Sequence, residues 1–129
     1  MHTLSVGIMQ PENAVAIVKG SSRTYEIHVQ DEYCDPVNLT GSLMYFTVKE
    51  NQGDVAPYIQ KTSQNALEID FVDAVGGVAR VYIDPSDTFN ARAKPYCFDV
   101  WLILPTGKRY VIIQTSVFDI QAGVTVIPI

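Results

Sequence analysis

The chain has 129 residues, of which 47% are hydrophobic and 18% charged, and a formal net charge of −5. That length fits a single domain, within the usual range of about 100–200 residues, and the composition excludes intrinsic disorder. The acidic balance argues against a polyanion such as nucleic acid as partner, and no apolar run approaches the ~20 residues of a membrane-spanning helix.

The first residues, Met1–Pro11, lack a basic start followed by an apolar stretch, so no signal peptide is expected. The punctuation that follows is that of a β protein. Gly20-Ser21-Ser22, Asp35-Pro36, Asn51-Gln52-Gly53-Asp54, Ser63-Gln64-Asn65, Gly76-Gly77, Asp84-Pro85 and Pro105-Thr106-Gly107 are turn signals at short intervals. Between them lie runs rich in Val, Ile, Tyr, Phe and Thr, which read as strands over 14–19, 23–30, 42–50, 57–62, 66–71, 78–84, 95–104 and 109–120. Residues 85–91 read as one helical turn with Pro85 at its first position.

Period-two alternation assigns the faces. Tyr25, Ile27 and Val29 point one way, as do Met44, Phe46 and Val48, and Ala79, Val81 and Ile83. Tyr96, Phe98, Val100, Leu102 and Leu104 form the longest apolar row, with Cys97, Asp99, Trp101 and Ile103 on its reverse. One buried face and one wet face per strand is the antiparallel pattern. About seven strands with regular turns predict an all-β, immunoglobulin-like antiparallel sandwich with Greek-key connections. The domain is expected over 14–120, between an N-terminal arm (1–13) and a C-terminal arm (121–129).

In that order Cys34 lies just past the second strand and Cys97 near the start of the penultimate one. Those strands run the same way, so the two thiols sit at opposite ends of the sandwich, about 20 Å apart along the strand. A disulfide spans at most about 7 Å between Cα atoms, so both cysteines are expected to be free.

No catalytic, cofactor or metal residue is expected. His28 has Glu26 and Gln30 beside it on a strand face, with no nucleophile signature near, and reads as a solvated strand histidine. Asp31, Glu32 and Asp35 offer at most three carboxylates without the glycine turn of a calcium loop, and are expected to pair with Lys108 and Arg109. Thr106-Gly107-Lys108 is a hairpin turn and not a phosphate loop. The surface aromatics point elsewhere. Tyr45, Tyr82 and Trp101 each fall opposite the apolar row of their strand, and together they make a candidate protein-binding face. Leu4, Val6 and Ile8 at one end, and Val124, Val126 and Ile127 at the other, are apolar and β-prone, and read as candidate assembly arms, with extra strands of the same domain as the alternative.

Taken in series, Gly20-Ser21-Ser22-Arg23-Thr24-Tyr25-Glu26-Ile27, Asp35-Pro36-Val37-Asn38-Leu39-Thr40-Gly41, Leu43-Met44-Tyr45-Phe46-Thr47-Val48-Lys49, Ile59-Gln60-Lys61-Thr62-Ser63, Gly77-Val78-Ala79-Arg80-Val81, Asp84-Pro85-Ser86-Asp87-Thr88 and Tyr96-Cys97-Phe98-Asp99-Val100 resemble the immunoglobulin-like domain of tailed-phage baseplate and tail proteins, including the N-terminal domain of upper baseplate proteins. The resemblance covers residues 14–120. It implies a non-enzymatic virion structural module without cofactor, acting through contacts with other virion proteins in multiple copies. No nucleic acid, membrane or small-molecule substrate is expected. A chain ending after Ile129 fits a tail or baseplate accessory or adaptor, assembled into the virion in the host cytoplasm. Capsid decoration is the nearest alternative, and a free-standing carbohydrate- or receptor-binding module is the other class. An exposed aromatic row flanked by Asp, Asn and Gln favours sugar binding; apolar arms favour assembly.

The placement of the thiols gives a direct expectation. Cys34 and Cys97 should both react with a thiol reagent after denaturation without reductant. An intact mass lower by two protons, and no labelling, would contradict it.

Overall fold

The computed structural model describes residues 4–10 and 16–124. These form β1 (Leu4–Gln10), β2 (Ala16–Val18), β3 (Arg23–Asp31), β4 (Leu43–Lys49), β5 (Ile59–Thr62), β6 (Ile69–Asp73), β7 (Val78–Ile83), the short helix α1 (Pro85–Thr88), β8 (Lys94–Ile103) and β9 (Arg109–Gln121). A four-stranded sheet in the order β1-β3-β7-β6 faces a five-stranded sheet in the order β2-β9-β8-β4-β5. All pairings are antiparallel except β2 on β9, which is parallel. This is an immunoglobulin-like sandwich, with the first strand divided between the two sheets.

The alternation read from the sequence sets the core. Tyr25, Ile27 and Val29 of β3, Met44, Phe46 and Val48 of β4, Ala79, Val81 and Ile83 of β7, and Tyr96, Phe98, Val100 and Leu102 of β8 are all buried. Phe118 and Ile120 of β9 complete the layer between the sheets. At the centre Phe46 and Phe98 stack with ring centroids 5.2 Å apart. Phe118 meets both edge-on, at 6.1 and 6.0 Å, and touches Tyr25 across the sandwich at 6.4 Å.

In antibody domains a tryptophan on the third strand packs on a disulfide joining the second strand to the sixth. Here Phe46 takes the tryptophan's place on β4. Tyr96 donates its hydroxyl hydrogen bond to the Arg92 carbonyl at 3.1 Å, four residues upstream. That is the tyrosine corner, which lies two residues before the sixth-strand cysteine. Phe98 therefore occupies the cysteine's position. Each buried ring contributes about 2 kcal/mol by burial alone, so three or four of them exceed the ~2–4 kcal/mol of a typical disulfide. Both cysteines are free, Cys34 exposed in the β3–β4 loop and Cys97 half-buried on β8.

The N-terminal segment departs from expectation. Residues 4–10 are not a free arm but the edge strand β1, paired with β3 from Leu4↔Asp31 to Gln10↔Glu26 with a register shift between Leu4 and Val6. Leu4, Val6 and Ile8 thus belong to the sandwich's own sheet, where an unpaired edge of β3 gains backbone hydrogen bonds. At the other end Val124 is fully exposed, and Val126 and Ile127 lie outside the described residues.

Acidic side chains also close turns. Asp31 is buried, and its Oδ1 accepts from the Tyr33 and Asp35 amides at 2.9 and 3.1 Å, closing the turn after β3. Asp87, in α1, accepts from the Asp84 amide at 2.7 Å and pairs with Lys61 Nζ at 2.7 Å. Lys61 is buried on the inner face of β5, next to Ile59. A four-residue edge strand with an inward lysine resists pairing with a foreign strand, and the bulge between Asp70 and Asp73 blunts β6 likewise. Gly77 adopts φ +73°, and an added Cβ would lie 2.6 Å from the Val29 carbonyl, so the turn before β7 tolerates only glycine.

Two substitutions rank the contributions. Phe98→Ala should cost about 3 kcal/mol, because it empties the centre of the ring cluster. Tyr96→Phe should cost about 1 kcal/mol, the worth of one hydrogen bond. Chemical denaturation giving the reverse order would contradict the assignment.

Candidate binding face

The outward side chains of the five-stranded sheet form an open groove of about 600 Å³. Register pairing places them in rungs across the strands. Trp101 of β8 stands beside Tyr45 of β4, and Tyr45 beside Thr62 of β5, with Val111 of β9 on the far side of Trp101. The next rung is polar: Asp99 stands beside Thr47, and Thr47 beside Gln60. Direct neighbours in a rung lie about 5 Å apart, and successive outward rungs about 7 Å along the strand. The loop after β4 walls one side with Gln52, Val55 and Pro57.

This surface is partly fixed by its own hydrogen bonds. The Trp101 indole N–H donates to Asp99 Oδ2 at 3.0 Å, and Gln60 Nε2 donates to Thr47 Oγ1 at 3.3 Å. Trp101 is 39% exposed, an unusual position for so large an aromatic. The β8–β9 ladder slips register between Phe98 and Val100 and again between Val100 and Trp101. Such bulges re-aim side chains and concentrate beside functional surfaces. Here they flank Asp99 and Trp101.

Of the three aromatics expected on one face, Tyr45 and Trp101 come together and Tyr82 does not. Tyr82 is on β7, in the other sheet, beside Thr24 of β3. Alternation tells which side of its own strand a residue takes, but not which sheet holds the strand. Asp99, Thr47 and Gln60 were not singled out by the sequence. Asp99 shares Trp101's face by period two, but its neighbours come from strands some 40–50 residues away, and no local signal joins them.

The outer face of the four-stranded sheet carries a charge cluster instead. His28 Nε2 lies 2.7 Å from Glu26 Oε1, and Arg80 Nε donates to Glu26 Oε2 at 3.2 Å. Hydrogen bonds from His28, then from Arg80, hold the Glu26 carboxyl below its ordinary value. His28 thus has a carboxylate neighbour and is a strand-surface residue, as read. Among the described residues no group of three or more His, Cys, Asp or Glu is placed to hold a metal ion, and no helix is long and apolar enough to cross a membrane.

No family model matches the chain, and no curated protein matches it. Among solved structures it is similar to part of MtrC from Shewanella baltica OS185, at 12% identity and a TM-score of 0.40. The match covers 99% of this chain and 23% of that one, so the chain spans under a quarter of MtrC's length. A likeness at that score carries no argument about function.

The Glu26 cluster gives a pH signature. A carboxyl with a lower pKa folded than unfolded adds stability above its unfolded value, and loses it as pH falls through the folded one. Glu26→Gln should therefore lower the melting temperature slightly near neutral pH. That deficit should shrink as pH falls below the ordinary carboxylate range and disappear once the parent's own lowered carboxyl protonates. A deficit unchanged between about pH 7 and about pH 3 would contradict the ion-pair account.

Proposed function

We propose that this chain is a non-enzymatic structural module of a tailed-phage virion, an accessory or adaptor of the tail or baseplate, which works by binding. It joins the particle in multiple copies through contacts with other virion proteins, and presents the outer face of the five-stranded sheet for recognition. The single observation that carries a binding role is the pairing of Tyr45 with Trp101 over an open groove. Exposed aromatics with fixed neighbours are what recognition surfaces are built from.

The tailed-phage context rests on the motif series. Its residues are fold-keeping devices here. Gly20 and Gly41 take left-handed backbone in turns, Asp84-Pro85-Ser86-Asp87-Thr88 forms the cap and body of α1, and Tyr96 and Phe98 make the corner and the core. Residues that maintain a sandwich suit a module whose role is contact.

The test is location. Tailed particles produced from the genome that encodes this chain should contain it by mass spectrometry. Immunogold labelling should fall at the tail end. Absence from purified particles would overturn the proposal, and label on the head would replace the tail position with capsid decoration.

A further inference from the structure

We infer that the groove on the five-stranded sheet is a binding site for a neutral pyranose, as one or a few residues of an exposed oligosaccharide. The inference rests on the reading of this face as a recognition surface and names its ligand class.

The argument starts from what a sugar ring presents. One side is a patch of C–H bonds with slight positive charge, and its rim is a set of hydroxyls that both donate and accept. The first asks for an aromatic face, whose π cloud is negative. The second asks for side chains that offer donors and acceptors together, at about a ring's breadth from the aromatic. The two adjacent rungs supply this pair. Trp101 and Tyr45 stand side by side and give an aromatic platform spanning two strands. Asp99, Thr47 and Gln60 form the polar rung next along the strands, about 7 Å away at the backbone, with Asp99 Oδ2 drawn to 3.0 Å from the indole nitrogen, so polar groups border the aromatic platform directly.

The hydrogen-bond inventory fits. Asp99 commits Oδ2 to the indole and keeps Oδ1 as a charged acceptor. Gln60 commits one amide hydrogen to Thr47, leaving a second donor and a carbonyl acceptor, while the Thr47 hydroxyl keeps its own proton to give. The indole contact also orients the ring before any ligand arrives, which lowers the ordering cost of binding.

Other occupants match less well. A protein partner wants an interface centre depleted of charge, yet Asp99 stands beside the tryptophan at the middle of this face. An anionic group on the polar rung meets Asp99, while the groove's cations, Lys49 and Arg109, lie one rung beyond, beside Cys97 and Ile103. A small apolar molecule wants an enclosed cavity, and this groove is open, with a polar rung beside the aromatic one.

Trp101 is the chain's single tryptophan, so intrinsic fluorescence reports on the site directly. The purified full chain is titrated with soluble neutral oligosaccharides, namely gluco-, galacto-, manno- and N-acetylglucosamine series, and run in parallel on a neutral glycan array. A saturable change in Trp101 emission, at Kd values near millimolar for short oligomers, is expected for at least one series. Asp99→Asn and Gln60→Ala should each weaken that binding at least tenfold, with melting temperatures close to the parent's. Tyr82→Phe, on the other sheet, should keep it. No saturable response on either platform overturns the inference, as does binding indifferent to Asp99→Asn. If no sugar binds but the chain is found at the particle's tail, this inference fails and the virion reading stands. If Trp101→Ala chain folds but drops out of particles, the face belongs to a protein partner and the inference is equally overturned.

Discussion

The stacked pair Phe46 and Phe98, closed by Phe118 and Tyr25, is the contact on which the rest of the structure depends. It joins β4, β8 and β9 of one sheet to β3 of the other, at the level where antibody domains place a disulfide. Because the clamp is made of side chains, it also fixes register. A one-residue slip of β8 would turn Phe98, Val100 and Leu102 to solvent and bury Asp99 and Trp101. The same alternation that builds the core therefore aims the candidate binding face. Core and candidate face are the two sides of one strand.

Electrostatics is secondary and local. The Glu26 cluster is solvent-facing, where ion pairs contribute little. The Lys61–Asp87 pair is more enclosed, and there the cost of desolvating two charges offsets much of their attraction. Its consequence is structural. It ties edge strand β5 to α1 and places a charge where a foreign strand would have to pack. Together with the β6 bulge, this blunts one edge of each sheet, β1 and β2 being the other two.

Much of the fold was legible in the sequence, because strand faces follow from period two and strand ends from turn residues. The core rows of β3, β4, β7 and β8, the helical turn begun by Pro85, and the side of β8 that carries Trp101 all follow from local pattern. Non-local pairing did not. Leu4–Gln10 reads as apolar and β-prone, but nothing within it says that its partner is β3. Tyr82 alternates correctly on its strand yet lies in the other sheet. The polar rung is invisible for the same reason: Asp99, Thr47 and Gln60 meet only through strand order, a property of the whole chain. The inward side chain of Lys61, by contrast, follows from Ile59 two residues earlier on the same face of β5.

The central claim is that ring packing does the work of the missing disulfide, and a double-mutant cycle on Phe46 and Phe98 tests it most directly. Phe46→Leu, Phe98→Leu and the double variant would be compared by equilibrium denaturation with and without reductant. The account predicts a coupling of about 1 kcal/mol between the two positions, as for a stacked aromatic pair, and no effect of reductant. Additive losses, or a stability that falls when reductant is added, would contradict it.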